Sequence, residues 1–551
     1  METAMPIGAY LIQRLYECGV RHVFGVPGDF VLGFDKQLED SPLVEFINTC
    51  DEQGAGFAAD AYARLQGLGA VCITYCVGGL KVANTTAQAY AEKSPVVVIS
   101  GAPGMNERIK NPLLHHKVRD FDTQYKVFQQ LTVASTVIDN PDTAFQEIDR
   151  VIAMALRYKR PVYIELPRDL VNLPGNPNYR LVLNQENSDA NALREALDEA
   201  IAMINAARQP VILAGVEMHR FGLQEALVQL VEKTNIPIAA TLLGKSVFSE
   251  LHPCYLGVYE GAMGHEDVRQ YVESSDCLIM LGAFMSDINL GIFTAHLDPK
   301  RSINVTSEKA SIQFHNYEDI RLQDFVQGLI DANIRPRPLE LPPRVHTPLE
   351  SFPTPGKKIT LGRLFDRLNA FVDDNTIVLA DAGDALFAGS DLIIHHRTEF
   401  MAPAYYASLG FAVPASLGVQ LANPELRPLV LVGDGAFQMT GLELSTVARY
   451  HLNPIVVVID NQGYATERPM QDGKFNDVLN WNYSKLPELL GAGFGFDITS
   501  EVELEEALLA SRMNPDSFCI LDVHIDPSDT SMALKRLTSS LAAKVRSQRD
   551  R

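Results

Sequence analysis

The sequence predicts an α/β protein of three domains, each a doubly wound parallel sheet. Three observations predict it. Short apolar runs alternate with amphipathic stretches along the chain, and such alternation implies a parallel sheet covered by helices on both faces. The alternation is interrupted twice, at Leu173-Pro174-Gly175-Asn176-Pro177 and at Arg335-Pro336-Arg337-Pro338. The length of 551 residues fits roughly three to four ordinary domains. The expected division is 1–180, 190–335, a linker over 336–357, and 358–551.

In the first domain, His22-Val23-Phe24-Gly25-Val26, Val44 to Asn48, Ala70 to Tyr75 and Val96 to Ser100 read as strands. Gln53 to Gln66 and Leu80 to Ala91 have helical spacing between them. The middle domain offers Pro210 to Ala214 and Cys277 to Leu281 as buried strands. Pro336, Pro338, Pro342-Pro343 and Pro348 to Pro355 predict an extended tether. The last domain offers the strands Thr376 to Ala380, Leu429 to Val432, Pro454 to Ile459 and Phe518 to Val523. Helical spacing returns at Met439 to Arg449 and at Ser531 to Ser547, whose basic end suits a helix C-terminus.

Composition narrows the function. The net charge of -21 disfavours nucleic-acid phosphates and anionic membrane surfaces. No apolar run is long enough to span a bilayer. Met1-Glu2-Thr3-Ala4 has neither a basic n-region nor an apolar h-region, so no secretion signal is expected. The seven cysteines follow no metal spacing; Cys72, Cys76, Cys277 and Cys519 lie in or beside strand-like runs. Buried free thiols in a reducing compartment are expected, and the cytoplasm with them.

The most specific motif is Val430-Leu431-Val432-Gly433-Asp434-Gly435-Ala436, a strand running into a Gly-Asp-Gly turn. The next strand ends at Asp460-Asn461-Gln462-Gly463. Glycines let backbone approach a phosphate closely, and a helix start offers free N–H groups. Asp434, Asn461 and the Gly463 carbonyl make an oxygen ligand set for Mg²⁺, which completes its octahedron with phosphate and water. A Gly-Asp-Gly turn alone is usually only a turn. Its return, one strand–helix–strand unit later, with a second oxygen ligand speaks for a site.

These two elements resemble the signature of thiamine-diphosphate enzymes. That family usually carries two asparagines in the second element; here Asp460 replaces the first and the ligating Asn461 is kept. Ala436 stands where serine is common. The resemblance implies pyrimidine-binding, middle and diphosphate-binding domains, with thiamine diphosphate and Mg²⁺ as cofactors. It implies that Glu52, in Asp51-Glu52-Gln53-Gly54-Ala55-Gly56, hydrogen-bonds the aminopyrimidine of a cofactor held by a second subunit. A homodimer is then the minimal active unit and a homotetramer the expected assembly. Asp51 beside it reads as a helix-dipole partner. Ala404-Tyr405-Tyr406-Ala407-Ser408-Leu409-Gly410-Phe411 matches the family's wedge segment, with Leu409 between the two rings and the Ala407 carbonyl on the 4'-amino group. Ser408, Tyr464 and Asp384 join Asp434, Gly435, Ala436, Asn461 and Gly463 beside the cofactor.

Gly28-Asp29-Phe30, His115-His116 and Gly463-Tyr464-Ala465-Thr466-Glu467 match the decarboxylases within that family. Loss of CO₂ must be followed by proton donation, and aldehyde release needs a base. Asp29, His115, His116 and Glu467 are the acid–base candidates. A histidine pair alone is commonly a surface feature; the combination makes non-oxidative decarboxylation of a 2-oxo acid the expected reaction. The chain is most similar to phenylpyruvate and indolepyruvate decarboxylases, notably over Ala380 to Phe387. Leu386 stands where pyruvate-specific relatives carry a large aromatic, and Thr466 where isoleucine or valine is common. Both enlarge the pocket, favouring aromatic or branched-chain substrates. The alternatives are pyruvate decarboxylation and an acetolactate-synthase-like carboligase. A dinucleotide site in the middle domain is poorly supported, because Gly215 to Gly222 lacks Gly-x-Gly-x-x-Gly.

Overall fold

The computed structural model describes residues 5–181, 187–339, 341, 349, 351–395 and 399–539. The start at Met1 to Ala4, the tether prolines Pro342, Pro343 and Pro348, and the chain after residue 539 lie outside the described residues. Residues 532–539 are helical, as the spacing predicts.

Three sheets form in chain order. The first holds β1 (His22–Gly25), β2 (Glu45–Asn48), β3 (Gly69–Ile73), β4 (Val96–Ala102), β5 (Ala134–Val137) and β6 (Val162–Pro167) in the order β2-β1-β3-β4-β6-β5. Every pair in it is parallel. The second holds β7 (Pro210–Ala214), β8 (Ile238–Thr241), β9 (Tyr255–Tyr259), β10 (Cys277–Leu281), β11 (Ser302–Val305), β12 (Ala310–Ile312) and β13 (His315–Tyr317), ordered β13-β12-β11-β10-β7-β8-β9. Here one edge departs from the parallel expectation. β11, β12 and β13 pair antiparallel, because the connections between them are too short for the crossover that parallel strands require. The third holds β14 (Thr376–Ala380), β15 (Phe400–Met401), β16 (Arg427–Gly433), β17 (Ile455–Asp460), β18 (Phe494–Ile498) and β19 (Cys519–His524), ordered β15-β14-β16-β17-β19-β18 and wholly parallel.

Each sheet is buried on both faces. Successive side chains of a strand point to opposite sides. Val96 and Val98 enter one core and Val97 and Ile99 another. Ile212 and Ala214 oppose Val211 and Leu213. Val430 and Val432 oppose Leu429 and Leu431. The unbroken apolar strands of the sequence follow from this double burial.

One core is shared by the first and third domains. The helix Glu52–Gln66 packs along the helix Ala412–Ala422. Small residues permit the approach: a Cβ on Gly418 would stand 2.0 Å from the Ala58 carbonyl oxygen. Beside this contact lies a buried ion cluster. Arg64 Nε donates to Asp60 Oδ1 at 2.8 Å, and its terminal nitrogens donate to Glu92 Oε2 at 2.9 Å and the Ala402 carbonyl at 3.1 Å. Glu92 in turn accepts the backbone N–H groups of Tyr405 and Tyr406.

Two helices differ from expectation. The stretch Leu80 to Ala91 opens as a 3₁₀ turn, Gly79–Val82, before the α-helix Ala83–Ala91. The helix expected from Met439 begins at Asp434, directly after β16, and is broken by a 3₁₀ turn at Gly441–Glu443. The residues Gly435 to Gln438 carry no amphipathic period, since they face buried surroundings on nearly every side. All seven cysteines are free; Cys72, Cys76, Cys254, Cys277 and Cys519 are buried. No helix among the described residues is long and apolar enough to cross a membrane.

Candidate active site

Strand ends build the site. β16 and β17 are adjacent and parallel, so their carboxyl-terminal loops lie side by side, where open α/β sheets bind ligands. Asp434 is fully buried. Its Oδ1 accepts the Gly435 N–H at 2.7 Å and its Oδ2 accepts the Gly463 N–H at 2.9 Å. Burial and the nearby Asp460 push its pKa up to about 7. Asn461 is 4% exposed, yet its Oδ1 has no hydrogen-bond partner. A buried carboxylate beside a partnerless amide oxygen is costly without a ligand, and this donor set fits a hard divalent cation. The Gly435 N–H is already engaged by Asp434, so its role in a phosphate cradle is shared with that carboxylate.

Glycine is required at 463. Its φ is +143°, and a Cβ would stand 2.0 Å from the Asn476 carbonyl oxygen. The Tyr464 N–H donates to that same carbonyl at 2.9 Å. Tyr464 also lies against Gly435, where a Cβ would meet its ring at 2.6 Å. The turn continues through Glu467, which is exposed. Ala436 is buried at 3% exposure within the core.

The wedge segment is tightly prescribed. Ala407 adopts φ +57°, a left-handed conformation that alanine adopts only when its surroundings impose it. Ser408 accepts from Asn84 Nδ2 at 2.8 Å. Leu409 is only half-buried at the edge of the core. Asp381, at the end of β14, holds this segment. It is fully buried, and its two oxygens accept the N–H groups of Ala382, Gly410 and Ala412 at 3.0, 3.0 and 2.8 Å. Burial still pushes its pKa up to about 6. Thr440, from the helix after β16, closes the clamp by donating to the Gly410 carbonyl at 2.7 Å. The motif reading gave Asp381 no role; an acid ending a wholly apolar strand was the available signal.

Asp384 is 6% exposed. Its Oδ1 accepts the Ser531 N–H at 3.3 Å, while Oδ2 has no partner. Burial raises its pKa. Leu386 is 1% exposed and belongs to the core, not to an open wall. Thr466, half-buried, faces Gly383, where a Cβ would lie 3.8 Å from its Cγ2.

The acid–base candidates of the first domain are assembled as well. Asp51 caps the helix Glu52–Gln66 by accepting the Gln53 N–H at 2.8 Å. Glu52 pairs with Lys81 Nζ at 2.8 Å and is 12% exposed. Glu443, a residue that the motifs did not flag, accepts the N–H groups of Cys50 and Asp51 at 3.2 and 3.0 Å. It thereby ties the loop bearing Glu52 to the helices that follow Asp434. Separately, His115 Nε2 lies 2.6 Å from Asp29 Oδ2. His115 stacks on Phe30, and His116 meets both rings edge-on. His116 has φ +65° and an Nδ1 without a partner. Residues 86 positions apart thus form one cluster.

Comparison with known proteins matches this geometry. Residues 5–124 match the thiamine pyrophosphate enzyme N-terminal TPP binding domain, residues 197–332 the central domain and residues 381–523 the C-terminal TPP binding domain. The chain is 35% identical to an indole-3-pyruvate decarboxylase of Azospirillum brasilense over 541 residues, covering 97% of each chain. It is 32% identical to an alpha-keto-acid decarboxylase of Mycobacterium leprae, covering 98% of this chain and 96% of the relative. It is also 32% identical to a probable pyruvate decarboxylase of Schizosaccharomyces pombe, covering 97% and 95%. The paired loops at Asp434 and Asn461, the three sheets and these full-length matches agree: the chain belongs to the thiamine-diphosphate-dependent 2-oxo acid decarboxylases, a family of carboxy-lyases.

Proposed function

We propose that this decarboxylase favours 2-oxo acids larger than pyruvate, with aromatic or branched side chains, such as phenylpyruvate, indolepyruvate or 4-methyl-2-oxopentanoate. The observation that supports the preference is Thr466, half-buried beside Gly383: threonine there takes less volume than the isoleucine common in the family. Leu386, where pyruvate-specific relatives carry a larger aromatic, supports it by its smaller volume. The Azospirillum relative, named for indole-3-pyruvate, supports the same direction. A kcat/KM panel over 2-oxo acids of increasing size tests it, and the highest value for pyruvate would overturn it.

Thiamine diphosphate, when bound, supplies the nucleophilic carbon and the electron sink for CO₂ loss. Asp434, Asn461 and the Gly463 carbonyl would hold Mg²⁺, which would supply positive charge for the diphosphate. Gly435, Ala436, Tyr464 and Asp384 would hold the diphosphate. Ala407, Ser408 and Leu409 would orient the rings, with the Ala407 carbonyl available to the amino group. Glu52 holds a proton at the aminopyrimidine. Asp29, His115 and His116 deliver and remove the proton at the reacting carbon. Glu467 stands by the substrate carboxylate and favours its departure. These roles follow the family pattern onto the matching residues.

The same reading gives domains of 1–180, 190–335 and 358–551 and a homodimer as the minimal active unit, assembled as a homotetramer in the cytoplasm. Exposed Val77, Leu80, Met439 and Leu442 lie in the segments around Glu52 and Asp434 and suit a subunit contact. Mixing Glu52→Gln and Asp434→Ala subunits tests it: shared sites regain activity that neither variant has alone.

A further inference from the structure

A second cluster lies beside the first, on the adjoining strands. β17, β18 and β19 run parallel, and their register pairs Asp460 with His524 and Asp497 with Asp522. Side chains two apart on a strand share a face, so Asp522 and His524 stand together. One ligand atom each from Asp460, Asp522 and His524 lies within 4.8 Å of the others. Asp460 and Asp522 are each 1% exposed.

The hydrogen bonding here is incomplete in a directed way. Oδ1 of Asp460 and Oδ1 of Asp522 have no hydrogen-bond partner, while Oδ2 of Asp460 faces the His524 ring. Asn480 and the Gln462 N–H lie close enough to Asp460 to favour its charged form against burial. Oδ2 of Asp522 accepts a long bond from the Ser484 N–H, 3.3 Å. His524 is oriented from behind: its Nε2 lies 2.5 Å from Asp497 Oδ1. That leaves Nδ1 directed at Asp460 Oδ2, 2.9 Å away. A carboxylate behind one imidazole nitrogen, with the other aimed at buried carboxylates, is the arrangement that orients histidine toward metal ions.

There is also a way in. A cavity of about 800 Å³ is lined by Trp481, Asp497, Asp522 and His524. Two carboxylates and an imidazole as ligands match a borderline transition cation better than Mg²⁺, because nitrogen ligation selects against the hard ions. Zinc bonds imidazole and carboxylate at about 2.0–2.2 Å, and ligand atoms within 4.8 Å of one another are close enough to share one ion.

We propose that Asp460, Asp522 and His524 bind one divalent transition cation, with Asp497 as the orienting partner of His524. The site shares no residue with the Asp434–Asn461 pair, although Asp460, the last residue of β17, adjoins Asn461. The ion ties the ends of β17, β18 and β19 together behind the Asn461 loop.

The test uses holoenzyme saturated with thiamine diphosphate and Mg²⁺, titrated with Zn²⁺ and desalted before elemental analysis. The expected result is one zinc per chain in addition to one magnesium. Asp522→Asn and His524→Ala lose the zinc while keeping magnesium. Asp497→Asn, a change at an exposed side chain that leaves folding intact, binds zinc about 10–100-fold more weakly. Wild-type protein that takes up no zinc, or takes it only in exchange for magnesium, overturns the proposal; the carboxylates then hold protons instead. Unchanged zinc affinity in Asp497→Asn together with His524→Ala overturns the ligand assignment.

Discussion

The Asp434 carboxylate accepts the Gly463 N–H across 2.9 Å, joining two loops 29 residues apart. The same carboxylate bonds Gly435 N–H with its other oxygen. One side chain therefore sets the spacing of the two loops before any ion arrives. Asp434→Ala removes both bonds and a metal ligand, and is expected to abolish retention of thiamine diphosphate and Mg²⁺ on gel filtration. Retention of stoichiometric cofactor would contradict the cradle.

Cofactor binding should also depend on pH. Burial raises the Asp434 pKa to about 7 in the metal-free chain, and only the carboxylate binds metal. The ligating form is thus about half present at pH 7 and is lost as pH falls below it. Apparent Mg²⁺ affinity, followed by calorimetry from pH 8 to pH 6, should fall about tenfold in all. A flat profile would show that Asp434 is charged throughout.

Glu52 is anchored by Lys81 at 2.8 Å and by Glu443 through its loop. Glu52→Gln keeps the shape and removes the exchangeable proton. Turnover should drop by roughly 10²–10⁴-fold, the scale of a positioned acid–base group. Near-wild-type turnover removes Glu52 from the mechanism.

His115 and Asp29 meet at 2.6 Å, so each needs the other to be useful. His115→Gln and Asp29→Asn should each lower kcat by roughly 10²-fold or more. The double variant should be little worse than either, because the pair acts as a unit. Additive losses would mean two independent roles.

Thr466→Ile adds bulk opposite Gly383. The kcat/KM ratio of phenylpyruvate to pyruvate should fall by roughly 10–200-fold, the discrimination available to an apolar pocket. An unchanged ratio would locate specificity elsewhere.

Arg64 joins Asp60, Glu92 and the Ala402 carbonyl in a site 4% exposed. Arg64→Met strands two buried acids. The expected cost is about 3–5 kcal/mol of stability, read as a lower midpoint in urea. A smaller loss would show that one acid takes up a proton instead.

The motifs were legible because local backbone demands leave marks in sequence. Gly433-Asp434-Gly435 and Asp460-Asn461 lie at strand ends, and the strands beneath them are unbroken apolar runs. Buried anchors left weaker marks. Asp381 and Glu443 sit among ordinary neighbours, and only the fold brings them to Gly410 and Asp51. The edge pair β12 and β13 was missed because each strand has three residues, too few for a period. The start of the helix at Asp434 was missed because a helix buried on most sides has no polar face to count.

The sequence by itself determined three α/β units, a two-loop cradle and the acid–base residue types, since periodicity and turn chemistry act within a few residues. Tertiary structure alone decided which of those residues meet. Asp29 finds His115, Asp434 finds Gly463, and Asp460 finds His524. Parallel strand order places distant chain ends side by side, and no local pattern encodes that order.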